Sequence, residues 1–461
     1  MTKQRTISPV DGSVYVVREL ATPGQVEAAL ELAVRAQRAW RRVSVAERAA
    51  TLKRFCDAFE ARREAIATEI AWQMGRPIRY APNEVRSTLE RARHMIAIGP
   101  EAIADIDVGR KEGFTRFLRR EPLGVVFTVA AWNYPYLIAV NSVVPAILAG
   151  NVVLLKHSAQ TPLCAERFTE CFREAGLPEG VFQYLHMGHE DTERLVADPR
   201  VDFVAFTGSV AGGHAVQRAA AERFVGTGLE LGGCDAAYVR HDADLAHAVE
   251  NLVDGAYFNS GQSCCGIQRL YVHERVYEDF VAGWIGLTRR YVLGNPLAAE
   301  TTLGPIVRPA AARTILRQID ASIGAGARPV FEGAEFGEGR LGRQYLAPQL
   351  LLDVDHSMAV MQEEIFGPVA GIMKVASDEA AIALINDSDF GLTAAVWSRD
   401  PEAAIAIGDQ VQVGTWFMNR CDYLDPALAW DGVKDSGRGC TLSTVGYEHL
   451  TRPKSFHLRH G

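Results

Sequence analysis

The spacing of hydrophobic and polar positions changes near residue 124. Before it, apolar residues recur at helical intervals. Val26, Ala29, Leu30, Ala33 and Val34 share one face, and Leu52, Phe55, Phe59 and Ile66 form a second stripe that Gly75 and Pro77 close. The first hundred residues therefore read as helices. Beyond it, short apolar runs alternate with amphipathic segments. GVVFTV (124–129) leads to a helix-like stretch at 137–148, then NVVLLK (151–156) and the helix-like TPLCAERFTECFREAG (161–176). VFQYLH (181–186), a short helix, VDFVAFTG (201–208), another helix and GLELGG (228–233) continue the pattern. Strand and helix in turn predict a parallel sheet covered on both faces.

A second mixed region runs from about residue 233 to 439. It holds the strand-like RLYVHE (269–274), a helix at 276–293, and further strand–helix units over 371–419. The charged, alternating stretch 108–121 predicts an exposed hairpin. No internal repeat is visible, which excludes a solenoid. The longest apolar stretch, 123–155, is broken by Asn133, Pro135, Asn141, Pro145 and Asn151, so no membrane span is expected. The opening MTKQRTISPVDG shows no apolar signal core.

The chain has 461 residues, enough for two or three domains, with 48% apolar and 23% charged residues. Its net charge of -8 argues against a nucleic-acid partner. Arg35, Arg38, Arg41 and Arg42 read as a solvated helix face. Cys56, Cys164, Cys171, Cys234, Cys264, Cys265, Cys421 and Cys440 form no C-x-x-C, and His186 with His189 reads as structural, so no metal site is expected. Reduced thiols and a cytoplasmic location follow as the default.

Two motif matches fail on context. Residues 337–342 spell G-x-G-x-x-G but precede a stretch that Pro348 keeps from helix, so they read as a surface turn. Gly261-Gln-Ser263-Cys-Cys265 approaches the serine-hydrolase elbow but lacks its last glycine and its leading strand.

Three other places carry chemistry. Cys264 follows a glycine turn able to bring backbone N–H groups to a reacting oxygen. Glu230 ends a strand, backed by Gly232 and Gly233. Asn133 and Pro135 break an apolar run just past a strand end, where ligands bind in such sheets.

In combination these blocks resemble the aldehyde dehydrogenase superfamily. The resemblance spans residues 8–456 and includes AWNYP (131–135), FTGSVAGG (206–213), ELGG (230–233), FNSGQSCCGIQR (258–269), EEIFGPV (363–369) and GVKDSGRG (432–439), with the family's 34-residue interval between Glu230 and Cys264. It implies an α/β fold of two doubly wound domains. An NAD(P)-binding domain would take 1–106 and 123–232, a catalytic domain 233–443, and a β oligomerisation arm 107–122 and 444–461. A homodimer or homotetramer is implied.

The resemblance further implies oxidation of an aldehyde to a carboxylic acid with NAD or NADP. Cys264 would be the nucleophile, Asn133 and the Cys264 N–H the oxyanion donors, and Glu230 the base that activates water. The presence of Glu230 favours a free acid over a coenzyme A ester. Gly208 and Ser209 would meet the pyrophosphate at a helix start. Lys156 and Ser158 would hold the adenosine ribose, Glu364 the nicotinamide ribose, and Trp132, Leu231, Gly232 and Phe366 would shape the site. Ala159 stands where many members carry a glutamate that repels a 2′-phosphate, so weak discrimination between NAD and NADP is expected.

Tyr134, Leu424 and Trp430 would line the substrate tunnel, with Arg420 and Asp422 nearby. Aromatic walls suit an apolar or aromatic aldehyde. The KHSAQ segment (156–160) and Arg420 are also similar to semialdehyde-oxidising members, where a cation would bind a distal carboxylate, so the general activity is the first reading and a carboxylated aldehyde such as succinate semialdehyde the alternative. Arg420 reads equally as an ion-pair partner of Asp422 or Asp425. A cofactor-independent cysteine esterase and a non-catalytic scaffold are the alternatives from other classes. Cys234 has no assigned role, and Cys265 reads as packing or as a redox partner of Cys264.

Overall fold

The computed structural model describes residues 2–337 and 342–461. Of the glycine motif at 337–342, residues 338–341 lie outside the described residues. Gly337 closes a short 3-10 turn, Gly333–Phe336, at φ 75°.

Two sheets organise the chain. In the first, the strand order is Gly437–Arg438, Gly226–Glu230, Phe203–Thr207, Val125–Ala130, Val152–His157 and Phe182–Tyr184. All of these pairings are parallel except that of Gly437–Arg438. Val125–Ala130 is buried along its whole length, as a central parallel strand with helices on both faces requires. Its chain successor lies on one side and Phe203–Thr207 on the other, so the order reverses there. Loops at the carboxyl ends of these two strands frame a ligand crevice. Trp132 and Asn133 follow the one, Gly208 and Ser209 the other.

The second sheet runs Arg328–Pro329, Gln349–Leu352, Val369–Val375, Ile267–His273, Asp235–Val239, Thr393–Trp397 and Thr415–Met418. Only Arg328–Pro329 pairs antiparallel. Its strands carry a separate core on each face. Leu231–Cys234 alone separates the last parallel strand of the first sheet from Asp235–Val239. This short link brings carboxyl ends of the first sheet against amino ends of the second.

Several expectations are adjusted by the fold. The first hundred residues are not all helical, because Lys3–Ile7 and Val14–Glu19 pair as an antiparallel hairpin. The stripe through Leu52, Phe55, Phe59 and Ile66 is shared by two helices, Val45–Glu60 and Arg63–Met74. All four side chains still enter one core. At the break Arg62 turns its guanidinium to the Ala58 carbonyl (2.8 Å) and to Glu174 (2.7 Å). The helix expected over 276–293 is Tyr277–Thr288. It stops because Val292 and Leu293 turn to pair with Thr302 and Leu303 instead.

The charged stretch before residue 124 supplies Phe114–Pro122, which pairs with Ile106–Asp107 and over nine positions with Thr451–Arg459. Phe117 stacks on Phe456 with ring centroids 4.5 Å apart. Two boundaries differ from the sequence expectation. Ser443–His449 is a helix whose Tyr447 hydroxyl donates to the Met95 carbonyl, 2.6 Å away, so it packs on the first layer and not in the arm. Gly437–Arg438, expected in the second domain, closes the first sheet. Arg35, Arg38, Arg41 and Arg42 are exposed, as a solvated face should be.

Candidate active site

The loop that leads to Cys264 is a strained turn. Asn259, Ser260 and Gly261 have φ of 55°, 57° and 67°, three left-handed residues in succession, and Cys264 follows at the entrance to Ile267–His273. Left-handed non-glycine residues persist only when the surroundings hold them. Here Ser260 donates to the Gly304 carbonyl (2.8 Å), and the Gln262 side chain accepts from Val307 N–H (2.8 Å). The Asn133 amide donates to the Gln262 carbonyl at 3.2 Å, which brings the expected oxyanion donor directly against this loop. Cys264 is half-buried while its neighbour Cys265 is buried.

A buried ion pair, absent from the sequence expectations, joins these parts. The Arg76 guanidinium donates to Asn259 Oδ1 (3.2 Å), to the Asn133 carbonyl (2.5 Å) and to Glu84. Glu84 also accepts the N–H groups of Tyr136 and Leu137 at 3.0 and 3.1 Å, the orphan donors of the helix Pro135–Ala149. Both carboxylate oxygens of Glu84 therefore have a donor, as a buried charge requires.

Glu230 ends its strand with its carboxylate accepting from Thr441 Oγ1 (2.7 Å) and Thr207 Oγ1 (3.2 Å). Burial raises its pKa above the ordinary carboxylate value, against the lowering pull of the two threonines and Arg91. The two glycines behind it are dictated by close approach. A Cβ on Gly232 would lie 2.3 Å from a Glu364 carboxylate oxygen, and one on Gly233 would lie 2.4 Å from the Cys264 carbonyl oxygen.

Cys264, Glu230, Tyr134, Leu424, Trp430 and Asp422 line one cavity of about 280 Å³. Four of the five side chains expected around the substrate are thus gathered, Asp422 among them. Arg420 is the exception. It is exposed, with its guanidinium 3.3 Å over the Tyr423 ring, and it lies outside the cavity. Asn419 and Asp422, both left-handed, turn the backbone on either side of it. It pairs with neither Asp422 nor Asp425. Asp422 instead accepts from Ser263 Oγ (3.1 Å) and Cys265 Sγ (2.9 Å), and burial pushes its pKa up to about 7. The adjacent Cys264 thiol, with burial, raises that of Cys265.

The crevice above the first sheet fits a dinucleotide. Ser209 caps the helix Val210–Ala220 by accepting the Gly212 N–H (3.2 Å), leaving the other first-turn donors for an anion. Lys156, next to last in its strand, is half-buried, its desolvation lowers its pKa, and it makes no hydrogen bond or ion pair among the described residues. Glu364 is half-buried, its carboxylate accepting among the described residues only from Gly233 N–H at 3.3 Å, and desolvation pushes its pKa up to about 7. A half-buried ammonium and a half-buried carboxylate with so few partners are the groups that ribose hydroxyls would satisfy. Trp132 meets Phe366 edge-on with centroids 5.8 Å apart, and Leu231 is buried beside them in the chain link. Ser158 accepts the Gln160 N–H (3.2 Å) and donates its own N–H to His157 (2.9 Å), so its hydroxyl supports the local turn. Ala159 is exposed.

Cys234, unassigned from sequence, has a structural place. Its thiol donates to the Glu363 carbonyl (3.7 Å) and accepts from Gln268 (3.3 Å), which also holds the Val360 and Glu363 carbonyls. Burial pushes that thiol up to about 12. His186 bonds Glu166 at 3.2 Å, and no metal-holding group of side chains occurs among the described residues.

Comparison with known proteins converges. Residues 1–456 match the model of the aldehyde dehydrogenase family. An aldehyde dehydrogenase of Paenarthrobacter nicotinovorans is 35% identical over 455 residues, covering 98% of each chain. A probable succinate-semialdehyde dehydrogenase (NADP(+)) of Synechocystis is 33% identical over 450 residues, again with 98% of each covered. The structure of an NAD-dependent aldehyde dehydrogenase from Sinorhizobium meliloti superposes with a TM-score of 0.95 at 32% identity, covering all of this chain and 92% of the other.

Proposed function

The chain belongs to the aldehyde dehydrogenase family and oxidises an aldehyde to a carboxylic acid with NAD(P), and within that reaction we propose that Cys264 is the nucleophile, Asn133 the oxyanion donor and Glu230 the base. The observation that carries this assignment is the Asn133 amide bonded at 3.2 Å to the nucleophile loop, with Cys264 and Glu230 on one cavity.

The thiolate of Cys264 adds to the aldehyde carbon, and the carbonyl oxygen takes up negative charge beside Asn133 Nδ2 and the Cys264 N–H. Donors fixed before reaction stabilise that charge without reorganising. Lys156, Ser209, Glu364 and Phe366 would hold the cofactor, which when bound supplies the hydride acceptor. Glu230 then takes a proton from a water that attacks the acyl carbon on Cys264, releasing the acid and the thiol. Its raised pKa makes the carboxylate a stronger base than an exposed one.

Either NAD or NADP serves this site in our reading, because Ala159 offers no carboxylate against a 2′-phosphate. The paired strands Phe114–Pro122 and Thr451–Arg459 would join copies into a homodimer or homotetramer. No described helix is long and apolar enough to cross a membrane, and eight free thiols support a cytoplasmic setting. An aldehyde that itself carries a carboxylate is the alternative substrate class, supported by the Synechocystis relative's name.

Absorbance at 340 nm with an aldehyde panel and each cofactor tests the assignment. Cofactor-dependent turnover that Cys264→Ala abolishes is expected; equal turnover by that variant would overturn it.

A further inference from the structure

Glu230 lies on two cavities. One is the cavity it shares with Cys264. The other, of about 30 Å³, does not include Cys264 and is walled by strands of the first sheet, the helix Pro135–Ala149 and residues 438–450. This second wall carries hydroxyls where a sheet core is ordinarily apolar. Thr128, in the fully buried strand Val125–Ala130, meets Ser142 Oγ at 3.1 Å. Thr207 and Thr441 each donate to one oxygen of the Glu230 carboxylate, at 3.2 and 2.7 Å. Among the described residues no donor is bonded to either of their hydroxyl oxygens. A polar cavity lined by such acceptors holds water, and this one has room for about one or two molecules.

The second cavity also reaches the surface. Thr128 and Ser142 on its wall are buried, whereas Arg438 and His449 are exposed. His449 borders a surface depression beside the arm as well. Glu230 is the one carboxylate on this wall among the described residues, and burial pushes the Cys440 thiol up to about 11, so that thiol stays neutral. A path of hydroxyl and water therefore runs from the carboxylate to solvent without passing Cys264.

The reaction needs such a path. Each turnover leaves Glu230 holding a proton taken from water, and the carboxylate must be ionised again before the next acyl group is hydrolysed. At that stage the acyl group, and then the acid, obstructs the cavity on the Cys264 side. The threonine contacts lie on the other side, in hydrogen-bond reach of the proton to be removed.

We propose that Thr441 is a positioning and relay residue for Glu230, and that the proton of deacylation leaves through its hydroxyl and the second cavity, past His449, to solvent. The inference rests on the assignment of Glu230 as the base and adds where its proton goes. Water gives a proton to the Glu230 carboxylate as its oxygen bonds to the acyl carbon and the Cys264 sulfur leaves. The neutral acid then donates that proton to Thr441 Oγ1 across the 2.7 Å contact, while the hydroxyl's own proton passes to a water in the second cavity. Rotation of the hydroxyl restores it as a donor to the carboxylate. Only O–H bonds form and break in this transfer.

The test compares Thr441→Val, Thr441→Ser and Ala205→Val with wild type. With enzyme in excess over aldehyde, all three should form reduced cofactor within about threefold of the wild-type rate, because hydride transfer precedes the base step. Multiple turnover by Thr441→Val should fall roughly 10- to 100-fold and slow further in D2O than wild type does. Thr441→Ser, which keeps the hydroxyl, should stay within about threefold of wild type. Ala205→Val leaves Thr441 in place but adds two methyl groups to the wall of the second cavity, and it should lose multiple turnover while keeping the first. Unchanged multiple turnover in Thr441→Val or Ala205→Val, equal losses for Thr441→Val and Thr441→Ser, a first turnover slowed as much as the later ones, or a D2O effect no larger than that of wild type would each overturn the inference. In those cases a Glu230→Gln variant that turns over slowly keeps the base assignment standing. Wild-type turnover by Glu230→Gln would overturn that assignment and the inference together.

Discussion

Arg76 and Glu84 meet in the interior with side-chain exposures of 2% and 0%, and through them the loop of Asn133 is tied to the loop that leads to Cys264. Arg76 touches Asn133 and Asn259, while Glu84 touches the first turn of the helix that follows Asn133. Removing one partner leaves an uncompensated buried charge. Arg76→Met or Glu84→Gln should each cost about 3–5 kcal/mol of stability. The double variant Arg76→Met with Glu84→Gln should cost less than the sum of the two, as coupled neighbours do. Denaturant unfolding of the three variants checks this; strict additivity would show that the pair does not act as a unit.

Asp235, 1% exposed, sets a pH dependence of stability. It accepts from Thr393 Oγ1 (2.5 Å) and Thr393 N–H (3.2 Å), yet burial pushes its pKa from 3.8 to about 8. Between those values the folded protein holds a proton that the unfolded chain releases. Stability contributed by the neutral acid is therefore complete below about pH 4 and declines as pH rises towards 8. Asp235→Asn should flatten this part of the stability profile, measured by denaturant unfolding across that range. A variant whose profile keeps the wild-type slope would contradict the assignment.

Cofactor choice follows from Ala159, exposed beside Ser158 at the end of the Lys156 strand. Wild type should use both NAD and NADP. Ala159→Glu should lower kcat/KM for NADP at least tenfold by charge repulsion with the 2′-phosphate. Steady-state rates with both cofactors decide it. A wild-type preference for NAD above about a thousandfold, ~4 kcal/mol, would defeat the expectation.

Much of the fold and of the candidate site was legible in the sequence, and the exceptions have physical causes. The buried parallel strands announced themselves because central strands of such sheets are almost continuously apolar, as VVFTVA and VVLLKH are. Cys264, Glu230 and Asn133 were marked by glycine turns and strand ends, which are local features. Lys3–Ile7 and Val14–Glu19 escaped because a two-stranded hairpin of polar, exposed strands carries little apolar alternation. The break at residues 61–62 escaped because neither glycine nor proline marks it.

Arg76, Glu84 and Arg91 were invisible for a different reason. A charged residue in a helical stretch ordinarily faces water. Only tertiary packing shows that Arg76 reaches Asn133 across 57 positions, or that Arg91 meets Asn141 across 50. Arg420 shows the reverse: a cation placed near the site by sequence, which the turn at 419–422 leaves on the surface. The two arginines that line the cavity, Arg76 and Arg91, come from elsewhere in the chain.

The division of labour between Cys264 and Glu230 is tested most directly by single-turnover kinetics of Glu230→Gln. The account predicts that, with enzyme in excess over aldehyde, this variant still forms reduced cofactor in a burst, while multiple turnover falls by at least a hundredfold. Mass spectrometry of the quenched enzyme should then find the acyl group on the peptide carrying Cys264. Steady-state turnover near the wild-type rate, or an acyl group on any other residue, would contradict it.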